Sequence, residues 1–322
     1  MAPAAVDFVA RQRQNRRRSA ALIVLFTATF LALGLSLDAI WGGFVTVAAT
    51  PLPVITLVAG ALGAFSSLVA YFGGDRLVLA SLCAEPLVLS APEHRQLHNV
   101  VTEMALASGL PMPRIFVLPD EAPNALATGR DPEHAVVAVT QGLLYLLDRA
   151  ETQGVVAHEM AHIGNRDTLT MTLVGVLLGG ALMLADWARR SLFFGRDRRM
   201  SPLQVLLVIA FVAVTPLLSR ILAMAVSRQR EYLADATAVQ LTRNPLGLAS
   251  ALEKIGAATW PVRAATRGTA HLFISTPWPR RADNREGALA DLLSTHPPLA
   301  QRIAILRAMA RAAPPPGASP VA

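Results

Sequence analysis

Four long runs without a charged residue constrain the fold of this chain more than any other feature of its sequence. They cover residues 19–37, 52–72, 168–185 and 201–219. As an α-helix, each run is about 27 to 32 Å long, which matches the hydrocarbon core of a bilayer. A soluble core does not require such runs, so the pattern predicts about four membrane-spanning or membrane-embedded helices.

Arginines flank these runs and supply almost all of the positive charge. Lys254 is the only lysine, and the formal net charge is +7. The arginines before the first run predict a retained anchor rather than a cleaved signal peptide, with its N-terminus on the cytoplasmic side of a plasma or inner membrane. Membrane lipids are the expected partners of these arginines. We expect no nucleic-acid partner, because interleaved aromatic residues and a basic reading helix are absent from the sequence.

The segments outside the apolar runs have the patterns of ordinary helices and strands. Between the second and third runs, strands are predicted at 85–90, 114–119, 124–129 and 133–140, and helices at 92–110 and 141–148. After the fourth run, helices are predicted near 223–241, 245–258 and 297–312, and a loop at 275–287. The Pro-rich end of the chain cannot bury a core and is expected to be disordered.

A His-Glu-x-x-His motif lies directly before the third apolar run. His158 and His162 are four residues apart and therefore share one face of a helix. Two imidazoles at this spacing can bind one zinc ion, with Glu159 beside a metal-bound water. The alternative is a helix with incidental histidines and a surface carboxylate. It is disfavoured because this composition rarely produces the motif by chance.

A hydrolytic zinc site also needs a third protein ligand and an open fourth position. Cys83 is the only cysteine, so the chain has no internal disulfide and the third ligand must be a histidine or a carboxylate. Glu231 and Asp235 are four residues apart in a predicted helix. Alone, such a pair more often marks an exposed helix face. Together with the motif upstream, it predicts Glu231 as the third ligand and Asp235 as the acceptor of an N–H from a ligand imidazole.

Two further residues are candidates for catalysis. His296 could hydrogen-bond the substrate or the tetrahedral oxyanion, with Arg302 nearby in the following helix. The alternative for His296 is a helix N-terminus, because Pro297 and Pro298 suit a first helical turn. Both interpretations stay open at this point.

Five segments in order carry a family resemblance: NALATG, HEMAHIGNRD, SRQREYLAD, ATRGTAHLFI and STHPPLAQRI. They resemble the HtpX-like membrane zinc metallopeptidases, relatives of the CAAX prenyl proteases, and the similarity extends over about residues 15 to 310. The resemblance implies an α+β, mostly helical, zincin-like (gluzincin) catalytic domain with a small antiparallel or mixed sheet. It also implies one zinc ion per chain, with Glu159 as the base and these metal-site residues: His158, His162, Glu231 and its companion Asp235.

The predicted organisation follows from these assignments. It consists of a two-helix anchor (1–74), a first catalytic part (75–167), an apolar hairpin (168–222), a second catalytic part (223–312) and a tail (313–322). The loop at 186–200 contains five arginines and two aspartates, which opposes the positive-inside tendency if it faces outward. Either the hairpin spans the bilayer and the first two runs fix the topology, or the hairpin packs against the catalytic part.

The combined prediction is an integral-membrane zinc metalloendopeptidase whose substrates are polypeptides. The resemblance points to quality control of damaged or misfolded membrane proteins during stress. The segment NALAT is expected to form an edge strand that pairs with extended substrate by β-augmentation. Two alternatives are a prenyl-protein processing peptidase and a non-catalytic, zinc-bound membrane scaffold. The first would need a larger chamber, and the second does not explain why the base and all ligands are present.

Overall fold

The computed structural model describes residues 8–41, 44–47, 50–177, 179, 228–266, 268–278 and 297–312, and the structural statements below concern these residues. Several predicted features lie outside them: the fourth apolar run, the 186–200 loop, His296 and the tail. The third apolar run is described as far as Leu177.

The first two apolar runs form a helical hairpin. Helix α1 (Phe8–Trp41) and helix α2 (Val54–Ser81) are joined by two short antiparallel strands, β1 (Phe44–Val47) and β2 (Thr50–Pro53). Both helices are long and apolar enough to cross a membrane. Two of the four predicted spans are therefore present by length and composition.

Small residues allow α1 and α2 to pack closely. A Cβ atom added at Gly34 would lie 2.6 Å from the Cα of Thr56, and one at Gly60 would lie 2.4 Å from the side chain of Leu31. This packing by small residues is typical of helices in membranes. The outer faces of the hairpin remain apolar, as at Phe65, which is 65% exposed. Such faces suit contact with lipid better than contact with water.

A four-stranded mixed sheet follows the hairpin, with strand order β3–β4–β6–β5. Strand β4 (Arg114–Leu118) pairs antiparallel with β3 (Glu85–Pro86) and parallel with β6 (Val136–Thr140), which pairs antiparallel with β5 (Ala125–Thr128). Every residue of β5 and β6 is buried, because both faces of these strands are covered. The four predicted strands and the mixed sheet are confirmed, although β3 is only two residues long.

Helices cover the sheet and complete the catalytic part. Helix α3 (Pro92–Ser108) ends at Gly109, whose left-handed backbone (φ 65°) suits glycine. The other described α-helices are α4 (Gln141–Leu146), α5 (Arg149–Gly164), α6 (Asp167–Leu177), α7 (Arg228–Thr242), α8 (Pro245–Ala257) and α9 (Leu299–Ala312). The helices predicted from periodicity at 92–110, 141–148, 245–258 and 297–312 are confirmed.

The membrane hairpin and the catalytic part are packed as one body. Val78 and Leu79 at the end of α2 share a hydrophobic cluster with the sheet and with Met171 of α6. Phe26 of α1 and Leu173 of α6 belong to another cluster. Helix α2 thus continues through the predicted domain boundary at residue 74, because its last turns pack against the sheet.

The structure confirms NALAT as an edge strand and shows that a distant segment covers its beginning. Strand β5 is an edge strand of the sheet, but residues 273–275 cover its outer side. Ile274 donates its backbone N–H to the carbonyl of Ala125, and Leu126 forms a bridge with Phe273. This segment occupies the edge at Ala125 and Leu126, whereas the backbone of Ala127 hydrogen-bonds the Glu159 carboxylate, so pairing of substrate along the rest of the strand stays a prediction. Sequence periodicity identified the strand but not the distant segment that covers it.

Candidate metal centre

Helix α5 carries the His-Glu-x-x-His motif and is fixed at its beginning and its middle. Asp148 and Glu151 form a reciprocal capping box at its N-terminus. Lys254 of α8 binds the Glu151 carboxylate at 2.7 Å. Gly154 allows α8 to approach, since a Cβ atom there would lie 2.8 Å from the backbone nitrogen of Leu248. The motif is therefore held on a rigid, buried helix.

Helices α5 and α7 bring the three predicted ligands together. The Nε2 atoms of His158 and His162 are 3.2 Å apart. Glu231 lies 3.8 Å from the first nitrogen through Oε2 and 3.6 Å from the second through Oε1. All three side chains are buried. Among the described residues, they form the one group of three or more His, Cys, Asp or Glu side chains close enough to hold a metal ion together.

The geometry of this cluster fits a small cation. Tetrahedral zinc with bonds of about 2.0 to 2.1 Å places its ligand atoms roughly 3.3 Å apart. The Nδ1 atom of each imidazole faces a carboxylate: Asp235 for His158 at 2.9 Å, and Asp167 for His162 at 3.2 Å. Neutral imidazoles that donate from Nδ1 keep lone pairs on Nε2. Two lone pairs and a carboxylate then face one point, and a cation placed there satisfies all of them.

Glu159 is the buried carboxylate next to this cluster. Its Oε1 has no hydrogen-bond partner within the described part of the chain, whereas the backbone of Ala127 hydrogen-bonds the carboxylate. Burial raises the pKa of Glu159 to about 7, and the charge of Glu231 acts in the same direction. A carboxyl group with a pKa near neutrality can both accept and return a proton. The free oxygen provides the place where a water molecule can bind.

His158 is oriented by an ion pair from α7 and α9. The guanidinium of Arg302 donates from Nε and Nη2 to both oxygens of Asp235, at 2.8 and 2.7 Å, and from Nη1 to the carbonyl of Ile274. Arg302 has no exposed surface. Burial lowers the pKa of His158 to about 4, and the charge of Arg302 contributes to the decrease although Asp235 opposes it.

His162 has a different partner, which sequence reasoning did not identify. Its Nδ1 faces Oδ2 of Asp167, the first residue of α6. Burial alone would lower the pKa of His162, but the hydrogen bond to Asp167 and the charge of Glu231 outweigh it and raise the pKa to about 9. A signal was present in HEMAHIGNRD, where an aspartate follows the second histidine by five residues. That spacing becomes close only because the helix breaks at Arg166, which has a φ of 58°.

The structure therefore brings together five of the seven residues predicted for the site, and it places a sixth, Arg302, in contact with Asp235. His296 lies outside the described residues. The contacts of Arg302 favour a role different from the one predicted, because its donors are directed at protein groups. Its assignment to the oxyanion stays a prediction.

Comparison with known proteins adds independent information. The profile of peptidase family M48 matches residues 91–310. Three similar proteins, each called a protease HtpX homolog, come from Thermoanaerobacter pseudethanolicus, Pyrococcus abyssi and Desulforapulum autotrophicum. The first is 45% identical over 75% of this chain and 80% of its own length. The second is 44% identical over 79% of this chain and 86% of its own length. The third is 40% identical over 91% of this chain and 89% of its own length. Among solved structures, Ste24p of S. mikatae aligns at 18% identity with a TM-score of 0.49, over 92% of this chain and 67% of that one.

A buried histidine–glutamate cluster beside a second buried carboxylate is an arrangement typical of metal-dependent hydrolases. The chain belongs to peptidase family M48. The matched residues 91–310 include the whole cluster and Glu159. The resemblance to HtpX-like membrane metallopeptidases is thereby confirmed at the level of the family.

Proposed function

We propose that this chain is an integral-membrane, zinc-dependent endopeptidase whose catalytic part faces the cytoplasm from a plasma or inner membrane. The observation that carries this proposal is the buried cluster of His158, His162 and Glu231, beside which Oε1 of Glu159 has no hydrogen-bond partner among the described residues. The two candidate spans of the hairpin and their exposed apolar faces support the location in a membrane.

The side chains of this site would divide the work of peptide hydrolysis. Zinc, when bound, lowers the pKa of a coordinated water to about 7 and polarises a substrate carbonyl. His158, His162 and Glu231 would hold the ion, one ion per chain. Glu159 accepts a proton from the attacking water at Oε1 and transfers it to the leaving amine.

Two residues outside the ligand set complete the proposed site. We assign Arg302 to holding Asp235 against His158, because its guanidinium is buried and bound to Asp235 and to the carbonyl of Ile274. His296 remains the proposed donor to the oxyanion. These two roles can be separated, because loss of Arg302 would weaken the metal site whereas loss of His296 would slow turnover with the metal in place.

The proposed substrates are damaged or misfolded membrane proteins. Only Asn165 and Arg166 separate α5, which carries two ligands, from α6, which begins the third apolar run. The cluster therefore lies within a few residues of apolar sequence that packs against the membrane hairpin. A catalytic site this close to the membrane-spanning segments suits polypeptide substrates that emerge from the bilayer.

Cleavage of casein by the detergent-purified protein tests the activity. We expect fragments with zinc, and no fragments with a chelator or in Glu159→Gln, which should retain stoichiometric zinc because Glu159 is not a ligand. Glu103→Gln, an exposed glutamate paired with Arg149, is the matched control and should cleave normally. Normal cleavage by Glu159→Gln would refute the assignment of the base.

The same preparations distinguish the alternatives. Zinc bound in stoichiometric amount without cleavage of casein, but with cleavage of a prenylated peptide, would identify a processing peptidase. Bound zinc with cleavage of neither substrate would identify a scaffold.

A further inference from the structure

One face of α1 changes from polar to apolar along its length. Gln12, Asn15 and Ser19 lie on the face that packs against the junction of α5 and α6, and they are buried or half-buried. Gln12 donates from Nε2 to the carbonyl of Gly164 at 2.9 Å, and the hydroxyls of Ser19 and Thr170 are 2.8 Å apart. The polar part of this helix is thus matched to polar groups of the catalytic part.

Asn15 makes the contact that reaches the metal centre. Its Nδ2 donates to Oδ1 of Asp167 at 2.7 Å and to the carbonyl of Asn165 at 2.9 Å. The other oxygen of Asp167 faces Nδ1 of His162 at 3.2 Å. Two consecutive hydrogen bonds therefore connect the N-terminal membrane helix to a ligand of the metal site. Asn15 is 5% exposed, so water competes little for these contacts.

We propose that Asn15 is a positioning residue of the metal centre, which orients the Asp167 carboxylate and through it the imidazole of His162. The inference rests on the proposed function, because it takes His162 as a zinc ligand. A carboxylate held at one oxygen presents the other in a fixed plane, and partners of ligand imidazoles set ring orientation and basicity. Arg230 also pairs with Asp167, its Nη1 lying 3.7 Å from the same oxygen, so a cation and the Asn15 amide hold this carboxylate together.

The competing explanation is that Asn15 only docks α1 onto the end of α5. Its bond to the Asn165 carbonyl would serve that purpose, as the bond from Gln12 to the Gly164 carbonyl does. Gln12 is therefore the matched control: it is an amide on the same face of the same helix, and it contacts the same junction without touching Asp167.

The test measures the metal site of the full-length protein in detergent. Zinc affinity is determined by competition with a chromogenic chelator, and cobalt(II) is substituted so that its visible absorption reports ligand geometry. Four variants are compared with the wild type: Asn15→Leu, Asn15→Ser, Gln12→Leu and Asp167→Ala. Asn15→Leu is also made in the Asp167→Ala background.

We expect Asn15→Leu to weaken zinc binding roughly three- to tenfold, less than the 10- to 100-fold loss typical when a ligand's carboxylate partner is removed. The cobalt absorption should change in the same variant. Gln12→Leu should match the wild type, and Asn15→Ser, which keeps a donor, should recover part of the affinity. In the Asp167→Ala background, Asn15→Leu should have no further effect, because the two residues act in series.

Equal effects of Asn15→Leu and Gln12→Leu, or full additivity with Asp167→Ala, would overturn the inference and leave the proposed function intact. A wild-type protein without stoichiometric zinc would instead overturn the proposed function, and the inference with it. A failure of Asn15→Leu to fold is recognised by circular dichroism, and the comparison between Asn15→Ser and Gln12→Leu then decides.

Discussion

The pKa values of the two histidines of the motif shift in opposite directions although the residues are one helical turn apart. The carboxylate beside His158, from Asp235, is shared with the guanidinium of Arg302 at 2.7 Å. The carboxylate beside His162, from Asp167, accepts from the neutral amide of Asn15 at 2.7 Å and also pairs with the buried guanidinium of Arg230. The first pKa is lowered to about 4 by burial with help from Arg302, whereas the second is raised to about 9 by carboxylates that overcome burial.

This difference shows that the motif alone does not fix the chemistry of its histidines. Both imidazoles are buried and both face an acid. What differs is how the acid is shared: the guanidinium of Arg302 binds both oxygens of Asp235, whereas one oxygen of Asp167 is shared by the uncharged amide of Asn15 and the guanidinium of Arg230 while the other faces His162. The proton affinity of each ligand therefore depends on residues far from the motif in sequence.

Glu231→Ala should have the largest effect on zinc binding, because the Glu231 carboxylate lies beside Nε2 of both His158 and His162. We expect the purified variant to lose stoichiometric zinc, as measured by atomic spectroscopy. Glu253→Ala is the matched control, since that glutamate pairs with Arg307 near the surface and lies outside the cluster. Stoichiometric zinc in Glu231→Ala would exclude it as a ligand.

Arg302→Leu should come next, because it leaves Asp235 buried without its cation. Breaking a buried ion pair typically costs about 3 to 5 kcal/mol of stability. Arg307→Leu, in the same helix, removes an exposed pair with Glu253 and should cost no more than about 1 kcal/mol. The free energy of unfolding by denaturant checks both values. Similar losses of stability in the two variants would show that the packing around His158 and Asp235 does not depend on the charge of Arg302.

Asp167→Asn and Asp235→Asn should each lower zinc affinity by about 10- to 100-fold, because an amide orients the imidazole without raising its basicity. Chelator competition near neutral pH measures both losses. An effect in only one of the variants would mean that the two carboxylates, despite similar positions, do not perform the same task.

The smallest expected effect is a difference in the number of protons that zinc binding releases from the wild type and from the two asparagine variants. At pH 8 the metal-free His162, with a pKa of about 9, is mostly protonated, and His158, with a pKa of about 4, is neutral. Zinc requires neutral imidazoles, so binding should release about one proton from His162, and apparent affinity should weaken as the pH falls.

Titration calorimetry in buffers of different ionisation enthalpy measures this release. In Asp167→Asn the pKa of His162 should fall, and the release should decrease by up to about one proton. Asp235→Asn should keep the release of the wild type. An equal decrease in both variants would contradict the assignment of the raised pKa to the side of Asp167.

Local patterns were sufficient to predict much of the fold and the residues that meet in the buried cluster. Periodicity identified α3, β4, β6 and α8, because each buries one face or one short run that is visible within a few residues. The spacing of His158 and His162 follows from helix geometry, and Glu231 follows from the need for a third ligand.

The contacts that could not be predicted join residues distant in sequence. Asn15 and Asp167 are 152 positions apart, and Arg302 and Asp235 are 67 apart. Nothing in the local sequence of α1 distinguishes Asn15 from a polar residue before an anchor. The pairing of residues 273–275 with β5 was not predicted for the same reason, because nothing in the sequence around Phe273 indicates that it contacts this strand.

The face of α1 that packs against the junction of α5 and α6 also fixes the position of this helix along its axis. Its hydrogen-bonding face ends at Ser19, and its apolar face continues at Leu22 and Phe26, both almost fully buried. If the helix slid by one turn, donors would face apolar side chains, and apolar side chains would face carbonyl groups. The helix is therefore locked at one height, and the level of Asn15 stands about 10 Å along the axis from that of Leu22. Through Asp167, that fixed interval sets the distance between the proposed zinc ligand His162 and the apolar part of α1.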